Sequence, residues 1–388
     1  MISWGLDLGS SKISLVGIRK VKPLEIVFSK FWETDFIESG YIKDFYGMVE
    51  FLDKIFKKTE IETGFKIDDL NVNISGSFLN TKFSDFSFVI TEEKEKLITK
   101  RDTDYIIKQA QLLALNWTEK LLHTFPQEFI IDDTEIVKNP VGLWGRKLKG
   151  NIFIISTPLT IYENIKKLFE FLDKNLKNLI FSGIAQSQIF LDSDLKNQGC
   201  VLVDVGDTLT EVLSFEAGIL KSVKIINQGL RNITRKISED FEISLELAKK
   251  VKEEFVNLES PSDEEIMVRL GSDYKKIEVS KVKEIMVNQI KNIFEEIKDI
   301  LKKENLFMLA EKNLVVCGGI VQIKGFCKII EESFGKSPLV PQIEGLDTKR
   351  NSLALGLAIM GFESRKKRVF NKFLKLINTL KEIYSEYF

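Results

Sequence analysis

The first twenty positions contain two short apolar runs with a small polar segment between them. Ile2 to Leu8 and Ile13 to Ile18 are rich in aliphatic and β-branched residues, and neither run shows the three-to-four spacing of a helix. The pattern predicts two strands joined as a β-hairpin. A hairpin excludes the phosphate loops that lead from a strand into a helix, because those loops use the helix N-terminus.

The same arrangement recurs about half a chain later. Cys200 to Val205 is a run typical of a buried strand, Gly206-Asp207-Thr208 is a turn, and Leu209 to Phe215 is a returning strand. In both places the first strand ends at an acidic residue, Asp7 or Asp204, and a glycine stands two positions further on. The repeat predicts two related domains that face each other across a cleft.

Both turns have the chemistry that a phosphate group requires. Glycine lets the backbone approach closely, serine and threonine donate hydrogen bonds, and lysine supplies a positive charge. A carboxylate at the end of the strand suits a magnesium ion that is bound through water. Taken alone, each turn is more typical of an ordinary hairpin turn, and it is the repeat that favours the phosphate interpretation. The predicted phosphate-binding residues are Gly9, Ser10, Ser11, Lys12, Gly206, Asp207 and Thr208, and the predicted magnesium-binding residues are Asp7 and Asp204.

A third glycine turn follows the strand-like run Leu314 to Cys317. Gly318, Gly319 and Ile320 come next, and helical spacing then extends from Phe326 to Phe334. A strand, a glycine step and a helix in this order suit a site for the base or sugar of a nucleotide. A tight strand-to-helix connection would have the same sequence.

The three turns in this order resemble the nucleotide-binding fold shared by actin, the Hsp70 chaperones and sugar kinases. Two further stretches are similar to FtsA, the actin-like bacterial division protein that ties the FtsZ ring to the membrane: LLHTFPQEFIIDDTEIVKNPVGLWGRKLKG (121–150) and LIFSGIAQSQIFLDSDLKNQG (179–199). The resemblance implies an α/β, actin-like fold of two related domains around a nucleotide cleft, with a small α/β insert subdomain of FtsA type. It also implies ATP or ADP with Mg²⁺ as cofactors, and an adenosine site at Lys252, Gly318, Gly319 and Ile320.

The resemblance further implies how the chain is divided. In the FtsA family the insert makes contacts between protomers and with other division proteins, so self-assembly into filaments is expected. The expected parts are 1–83 and 164–196 (first domain), 84–163 (insert), 197–230 and 306–345 (second domain), 231–305 (helical subdomain), 346–364 (closing helix on the first domain) and 365–388 (amphipathic helix).

Several positions depart from the FtsA pattern. The second phosphate turn has Asp207 where relatives have glycine, which favours either a bound magnesium ion or weaker ATP binding, and its later acid is Glu211. Lys249 stands where relatives tend to have an acidic residue, although Lys252 fits. Gly183 stands where faster-hydrolysing actin relatives keep an acid or a glutamine that orients water. We therefore expect nucleotide binding with slow or negligible hydrolysis.

The segment 365–388 predicts an amphipathic helix. Its apolar residues recur at steps of three and four, and it has seven basic and two acidic residues. Such a helix can lie in the interface of an anionic bilayer, and FtsA relatives end in a membrane-targeting segment of this kind. Packing against another helix would give the same pattern. The predicted membrane-binding residues are Arg365, Lys366, Lys367, Arg368, Phe370, Phe373, Leu374 and Ile377.

A long helix is predicted from Glu278 to Lys303, within the charged and mostly helical region 231–305. In the FtsA family this subdomain receives the C-terminal tail of FtsZ. A plain solvated helix face would have the same sequence. The residues that would offer donors to an acidic peptide are Lys281, Asn288, Gln289 and Asn292.

Composition narrows the function further. The net charge of −1 gives no basic field for nucleic acid. Cys200, Cys317 and Cys327 lack the spacing of metal ligands, and the sole histidine, His123, is expected to be structural. No signal peptide and no run long enough to span a membrane is recognisable.

The expected function is that of a structural adaptor, at most a slow ATPase, that polymerises and recruits FtsZ. Its expected place is the division site, on the cytoplasmic face of the inner membrane. Two alternatives stay open. A sugar kinase of the same fold would need a catalytic base and would have no use for a basic amphipathic terminus. A PilM-like pilus-assembly adaptor would share the insert and would need no lipid-binding helix of its own.

Overall fold

The computed structural model describes residues 2–21, 24–255, 257–260, 265–270, 273–342 and 350–362. The predicted amphipathic segment 365–388, with all of its membrane-binding candidates, lies outside the described residues. The first half of the chain alternates strands with helices, as two-layer α/β proteins do. Its elements are β1 (Ile2–Leu8), β2 (Lys12–Arg19), β3 (Glu25–Glu33), β4 (Ile37–Glu38), β5 (Tyr41–Ile42), α1 (Phe45–Thr63), β6 (Asp69–Ile74), β7 (Asn80–Val89), β8 (Lys96–Leu97), α2 (Lys100–Ala114), β9 (Glu119–Ile131), β10 (Glu135–Val137), β11 (Trp144–Gly145), β12 (Lys147–Pro158), α3 (Leu159–Phe171), β13 (Asn175–Phe181), α4 (Ser182–Phe190) and α5 (Ser193–Gln198).

The second half begins with three strands and is otherwise mainly helical. Its elements are β14 (Cys200–Val205), β15 (Thr210–Glu216), β16 (Ile219–Ile226), α6 (Leu230–Asp240), α7 (Leu245–Lys250), a π-helical turn (Val251–Phe255), β17 (Glu265–Leu270), β18 (Asp273–Glu278), α8 (Val279–Lys303), α9 (Phe307–Lys312), β19 (Leu314–Gly318), a 3₁₀ turn (Gly319–Gln322) and α10 (Phe326–Phe334). A closing helix covers 350–362.

Two sheets share one four-stranded topology, to which β13 adds a fifth strand in the first sheet. The first has the strand order β13-β6-β1-β2-β3, and the second has the order β16-β15-β14-β19. In the first sheet β1 pairs antiparallel with β2, β2 pairs antiparallel with β3, and β1 pairs parallel with β6. In the second sheet β14, β15, β16 and β19 repeat these relationships. The duplicated hairpin that the sequence predicts is confirmed: β1 with β2 and β14 with β15 form one hairpin in each sheet.

The central strand of each sheet is buried on both faces. In β1, Trp4 and Leu6 pack against α1 and α3, whereas the neighbouring strand β2 packs against the closing helix through Val16 and Ile18. Strands covered on both sides are continuous apolar runs, which is the pattern that the sequence has here. Each fully buried aliphatic side chain contributes roughly 1.5–3 kcal/mol, so these runs fix the position of the strand ends that face the cleft.

The insert is a separate sheet with one helix. Its strands have the order β10-β9-β12-β7, and β8 and β11 form a small two-stranded sheet beside it. The helix α2 covers the larger sheet, and Ile106 and Ala110 on α2 are fully buried against it. The long strand β12 leads out of this sheet into α3 of the first domain.

The region before α8 contains a strand pair besides its helices. Residues 231–305 are mostly helical, as the sequence predicts, but β17 and β18 form an unpredicted antiparallel pair within this region. Val268 and Ile277 are buried on one face, whereas Lys276 and Glu265 form a cross-strand ion pair of 2.5 Å on the other. Because half of the residues in this pair are charged, the period-two alternation of a strand is hidden in the sequence.

Candidate functional site

A cleft of about 1070 Å³ lies between the two sheets. This volume is at the upper end of the range of about 300–1,000 Å³ that is typical of small-molecule sites. Ile320, which was predicted to contact adenosine, does not line the cleft, because its side chain is fully buried in the core of the second domain. The other predicted phosphate, magnesium and adenosine residues do line it: Asp7, Gly9, Ser10, Ser11, Lys12, Asp204, Gly206, Asp207, Thr208, Lys252, Gly318 and Gly319.

The two hairpin turns touch each other across the cleft. The hydroxyl oxygens of Ser10 and Thr208, which are 198 positions apart in the chain, lie 2.7 Å apart. The backbone N–H of Ser39 also donates to Thr208 Oγ1, at 3.2 Å. One phosphate group placed beside this contact would therefore be within reach of both turns.

Asp7 and Asp204 end their strands at the floor of the cleft. Asp7 Oδ1 accepts a hydrogen bond from Asn73 Nδ2 at 3.2 Å, and Asp7 Oδ2 accepts one from Ser14 Oγ at 3.3 Å. Burial raises the pKa of Asp7 to about 6, with Lys12 opposing the shift and Asp204 adding to it. Burial likewise raises the pKa of Asp204. Both carboxylates are therefore held where their negative charge lacks full compensation.

Glu211 is a third carboxylate at this floor, and the sequence interpretation did not place it there. It lies opposite Asp204 in the pairing of β14 with β15, so both side chains emerge on one face of the sheet. One oxygen accepts a hydrogen bond from Ser75 Oγ of the first domain, and Oε2 is buried without a partner among the described residues. Burial, and then the charges of Asp204 and Asp7, hold the pKa of Glu211 well above its usual range.

These groups suit a divalent cation that is bound partly through other ligands. In the described part of the chain, no three His, Cys, Asp or Glu side chains converge closely enough to hold a metal ion by themselves. A magnesium ion here would be bound by Asp7 and Asp204 together with water and phosphate oxygens. The unpaired Oε2 of Glu211 and the raised pKa values of all three carboxyl groups indicate a floor that a cation would stabilise.

Asp207 in the second turn is neutralised by an arginine. Arg231 Nε and Nη2 both lie 2.7 Å from one carboxylate oxygen of Asp207, and Nη2 also donates to the backbone oxygen of Ser10 at 3.0 Å. Arg231 is in the first turn of α6, 24 positions after Asp207. No motif in the sequence joins these two residues, and Arg231 was missed for that reason.

The two lysines of the α7 region have different surroundings. Lys249 forms an ion pair of 2.8 Å with Glu33 at the end of β3, so it connects the second domain to the first at the mouth of the cleft. Lys252 is buried and donates to Thr234 Oγ1 at 2.9 Å. Burial lowers the pKa of Lys252, which is thus a cation partly deprived of water inside the cleft.

Position 183 does not face the cleft. A Cβ atom on Gly183 would lie 2.4 Å from Leu213 Cδ1, so a side chain there would enter the core between α4 and β15. The residues of α4 that line the cleft are Ser182 and Gln186, one turn apart. Gln186 Nε2 donates to Asp204 Oδ2 at 3.2 Å. Sequence reasoning missed Gln186, although its four-residue spacing from Ser182 would have placed both on one helix face.

Two matches to protein-family models cover more than half of the chain. Residues 80–156 match the SHS2 domain inserted in FTSA, and residues 201–356 match the cell division protein FtsA. The chain belongs to the FtsA family. A Buchnera aphidicola (subsp. Baizongia pistaciae) cell division protein FtsA is 28% identical over 362 residues, which covers 89% of this chain and 84% of the relative. The FtsA of Borreliella burgdorferi is 24% identical and covers 97% and 94%.

Solved structures place this FtsA-family chain among actin-like folds. A PilM-PilN type IV pilus biogenesis complex aligns with a TM-score of 0.65 at 12% identity, covering 92% of this chain and 98% of that one. MreB5 of Spiroplasma citri bound to ADP aligns with a TM-score of 0.55 at 11% identity, covering 96% and 98%. The predicted fold class is confirmed: an α/β, actin-like fold of two related domains with an FtsA-type insert.

The four residues that the FtsA resemblance assigned to the FtsZ tail lie on α8, which spans Val279–Lys303. Asn288 and Asn292 are exposed, Gln289 is half-buried, and Lys281 is exposed but forms an ion pair of 2.9 Å with Glu278. Acidic residues also occur on the exposed surface of this helix. Its described surface therefore mixes both charge signs, and the assignment to an acidic tail stays a prediction.

The histidine and cysteines have structural positions. His123 Nε2 accepts a hydrogen bond from the backbone N–H of Phe181 at 2.9 Å, and burial lowers the pKa of His123 to about 4. Cys200 and Cys317 are buried, and all three cysteines are free thiols. Among the helices of the described part, none is both long enough and apolar enough to cross a bilayer.

Proposed function

We propose that the chain binds ATP or ADP with Mg²⁺ in the cleft, polymerises on the cytoplasmic face of the membrane and anchors FtsZ there during bacterial cell division. The observation that supports this best is the pair of facing hairpin turns in a chain of the FtsA family. Each turn follows a buried strand that has an aspartate near its end. The two turns are in direct contact through Ser10 and Thr208.

The cleft supports nucleotide as the ligand. MreB5 structures bound to ADP and to AMPPNP share this fold, with TM-scores of 0.55 and 0.56. In the proposed complex Ser10, Ser11 and Thr208 donate to the phosphates and Lys12 supplies positive charge between the two aspartates. Magnesium bound to the nucleotide supplies a cation opposite Asp7 and Asp204. Lys252, Gly318 and Gly319 would contact the adenosine side of the cleft.

The division of the chain is part of the same proposal. The two sheets support a first domain at 1–83 and 164–196 and a second domain at 197–230 and 306–345. The match to the SHS2 domain at 80–156 supports an insert at 84–163. The segment 365–388 would bind anionic lipid through its basic start and its apolar face, and α8 would receive the FtsZ tail.

Liposome co-sedimentation of the full chain and of a variant that ends at residue 364 tests this function. We expect the full chain to sediment with anionic liposomes and the shortened chain to stay in the supernatant, because the seven basic residues of 365–388 are then missing. With ATP and Mg²⁺ the full chain should sediment more completely, since linked anchors rebind at high effective concentration. Electron microscopy of the pellets should show filaments.

Zwitterionic liposomes are the matched control, and they should retain much less protein. A fluorescent ATP analogue, titrated with and without Mg²⁺, measures nucleotide binding separately. If the shortened chain sediments as well as the full chain, the membrane part of the proposal is wrong and a PilM-like adaptor becomes the better interpretation. ATP-dependent phosphorylation of a sugar by the full chain would instead support a kinase.

A further inference from the structure

Gln186 on α4 carries a buried acceptor that no described residue of the protein uses. Its side chain lines the cleft and is only 4% exposed. Nε2 donates to Asp204 Oδ2 at 3.2 Å, whereas Oε1 has no hydrogen-bond partner among the described residues. A buried amide oxygen without a partner is unfavourable, and in native proteins such an atom usually faces a water molecule or a ligand.

The contact with Asp204 fixes the orientation of this amide. In the ionised form that would bind magnesium, the carboxylate of Asp204 accepts hydrogen bonds and does not donate them, so the nitrogen of the amide must face Asp204. The oxygen is then the end that is left to accept from something else. Asp204 therefore positions a neutral acceptor at the floor of the cleft, beside the carboxylates that suit magnesium.

Other groups near this place are already occupied or unsuited to the same task. Ser182 Oγ, one turn earlier on α4, donates to the backbone oxygen of Ile74 and accepts from Asn73 Nδ2. Thr34 Oγ1 also has no partner within the described part of the chain, but it is next to the phosphate turn, since the Thr34 N–H donates to the backbone oxygen of Ser11. Position 183 faces Leu213 and not the cleft.

We propose that Gln186 is a catalytic residue that orients the water for hydrolysis of the terminal phosphate. The proposal rests on the proposed binding of ATP. An O–H group of the water donates to Gln186 Oε1, and the water oxygen forms a bond to the terminal phosphorus. The bond from that phosphorus to the bridging oxygen breaks, and the bridging oxygen keeps the electron pair as part of ADP. One proton of the water stays on the departing phosphate, and the other is released to solvent.

This assignment moves the water-orienting group by one helical turn relative to the sequence expectation. Gly183 lacks a side chain, which is why slow or negligible hydrolysis was expected. Gln186 is three positions further along the same helix and provides the amide oxygen that glutamines use to orient water in other nucleoside triphosphatases. Hydrolysis by this chain would then be measurable and would depend on Gln186.

The test compares Gln186→Leu with Gln188→Leu, which removes an exposed glutamine from the same helix. We expect phosphate release by Gln186→Leu to fall by about tenfold or more, as the loss of a water-orienting group predicts. Affinity for the fluorescent ATP analogue should change less than about threefold, because ground-state contacts remain. Affinity for ADP with aluminium fluoride, which imitates the transferring phosphate with its in-line water, should fall in parallel with hydrolysis. Gln188→Leu should match the wild type in all three.

Gln186→Asn keeps the amide on a shorter side chain. This variant replaces Gln186→Leu in the test if thermal unfolding shows that the leucine variant does not fold. It should also lose hydrolysis while binding ATP. Equal phosphate release by the wild type and the Gln186 variants, including none from either, would overturn the role of Gln186 and leave the proposed ATP binding intact. Failure of the wild type to bind the ATP analogue would overturn both proposals.

Discussion

The carboxylates of the cleft floor have unusual protonation behaviour. Asp7, Asp204 and Glu211 lie near one another in a buried setting, and each has a raised pKa. Lys12 lowers the pKa of both aspartates, but burial outweighs it. Like charges that are kept together in this way favour either protons or a metal cation. In the proposed complex magnesium would replace the protons, so the affinity for Mg-nucleotide should rise with pH.

Asp7→Asn tests the raised pKa through stability. The pKa of Asp7 is about 6 in the folded protein against 3.8 as the ordinary value, so the folded state binds the proton more tightly. The contribution of Asp7 to the free energy of unfolding is fully present below its ordinary pKa. This contribution, about 3 kcal/mol, is lost as pH rises to about 6. Asparagine cannot ionise. We expect the free energy of unfolding of Asp7→Asn, relative to that of the wild type, to increase as pH rises from 4 to about 6.5.

Urea denaturation at several pH values, without nucleotide, gives this difference. Asp207→Asn is a useful control, because Asp207 is held by Arg231 at the edge of the cleft and not at its buried floor. A wild-type and Asp7→Asn pair whose stability difference stays constant over this pH range would contradict the assignment.

Residues of the site were predictable only where the local pattern fixes them. Asp7 and Asp204 could be predicted because each stands near the end of an apolar run, two positions before a glycine. Arg231 and Gln186 could not, since their partners Asp207 and Asp204 are distant in sequence and meet them only in the folded protein. The charge of Asp207 is compensated by Arg231, which no motif in the sequence indicates, and whether Asp207 favours magnesium or weakens ATP binding stays a prediction.

At the scale of elements, the third turn depends on a glycine between two strands. Gly318 has a φ of +87°, a region that favours glycine, and a Cβ atom there would lie 2.2 Å from Asp204 Oδ1 and 2.5 Å from the backbone oxygen of Val205. This close approach exists because β19 pairs directly with β14. The glycine turn therefore supports the position of Asp204 besides lining the cleft.

Gly318→Ala should destabilise the protein by about 2 kcal/mol or more, because the methyl group adds a clash with the backbone to the strain of a positive φ. Gly335→Ala is the matched control. Gly335 has a φ of +74°, and no atom of the described residues lies within 4 Å of its Cβ position, so it measures the strain alone, about 1 kcal/mol. Chemical denaturation of both variants gives the two values. Equal losses would show that the approach of Gly318 to Val205 contributes nothing.

Most elements were predictable where periodicity is strong. The strand Cys200–Val205 and the helix Phe326–Phe334 have the predicted bounds. The pair β17–β18 was not predicted, because charged residues obscure its alternation. The returning strand of the second hairpin starts at Thr210 and not at Leu209, since the backbone oxygen of Leu209 accepts from the N–H of Gly206 and closes the turn.

At the scale of the whole molecule, ion pairs join the two domains across the cleft. Glu33 pairs with Lys249, and Glu38 pairs with Arg231 at 3.7 Å and with Arg235 at 3.3 Å. An apolar cluster that includes Ile184 on α4 and Leu202 on β14 connects the domains below the floor. The base of the cleft is thus packed, whereas its mouth is held by exposed charges that can separate.

Lys249→Glu should weaken nucleotide binding by a few-fold. Exposed ion pairs contribute about 0.2–1 kcal/mol, so reversing one charge at the mouth disfavours the closed cleft by a similar amount. The double variant Glu33→Lys with Lys249→Glu restores the pair in reverse and should recover most of the affinity. Titration of the fluorescent ATP analogue at low and high salt measures the affinity of the single variant and of the double variant. A double variant no tighter than the single one would show that the pair does not couple the domains.

The end of the closing helix has a consequence for how the chain withstands tension. Lys177 is buried on β13, and its ammonium group donates to the backbone oxygen of Gly361 at 2.6 Å. A force applied beyond residue 362 is therefore transmitted to β13, the edge strand of the first sheet, and not to a surface loop. β13 continues directly into α4, the helix that places Gln186 at the cleft. A force on the chain beyond residue 362 would therefore act on the strand that precedes this helix. β13 and α4 would thus connect a mechanical load on the C-terminal segment to the proposed nucleotide site through one continuous stretch of backbone.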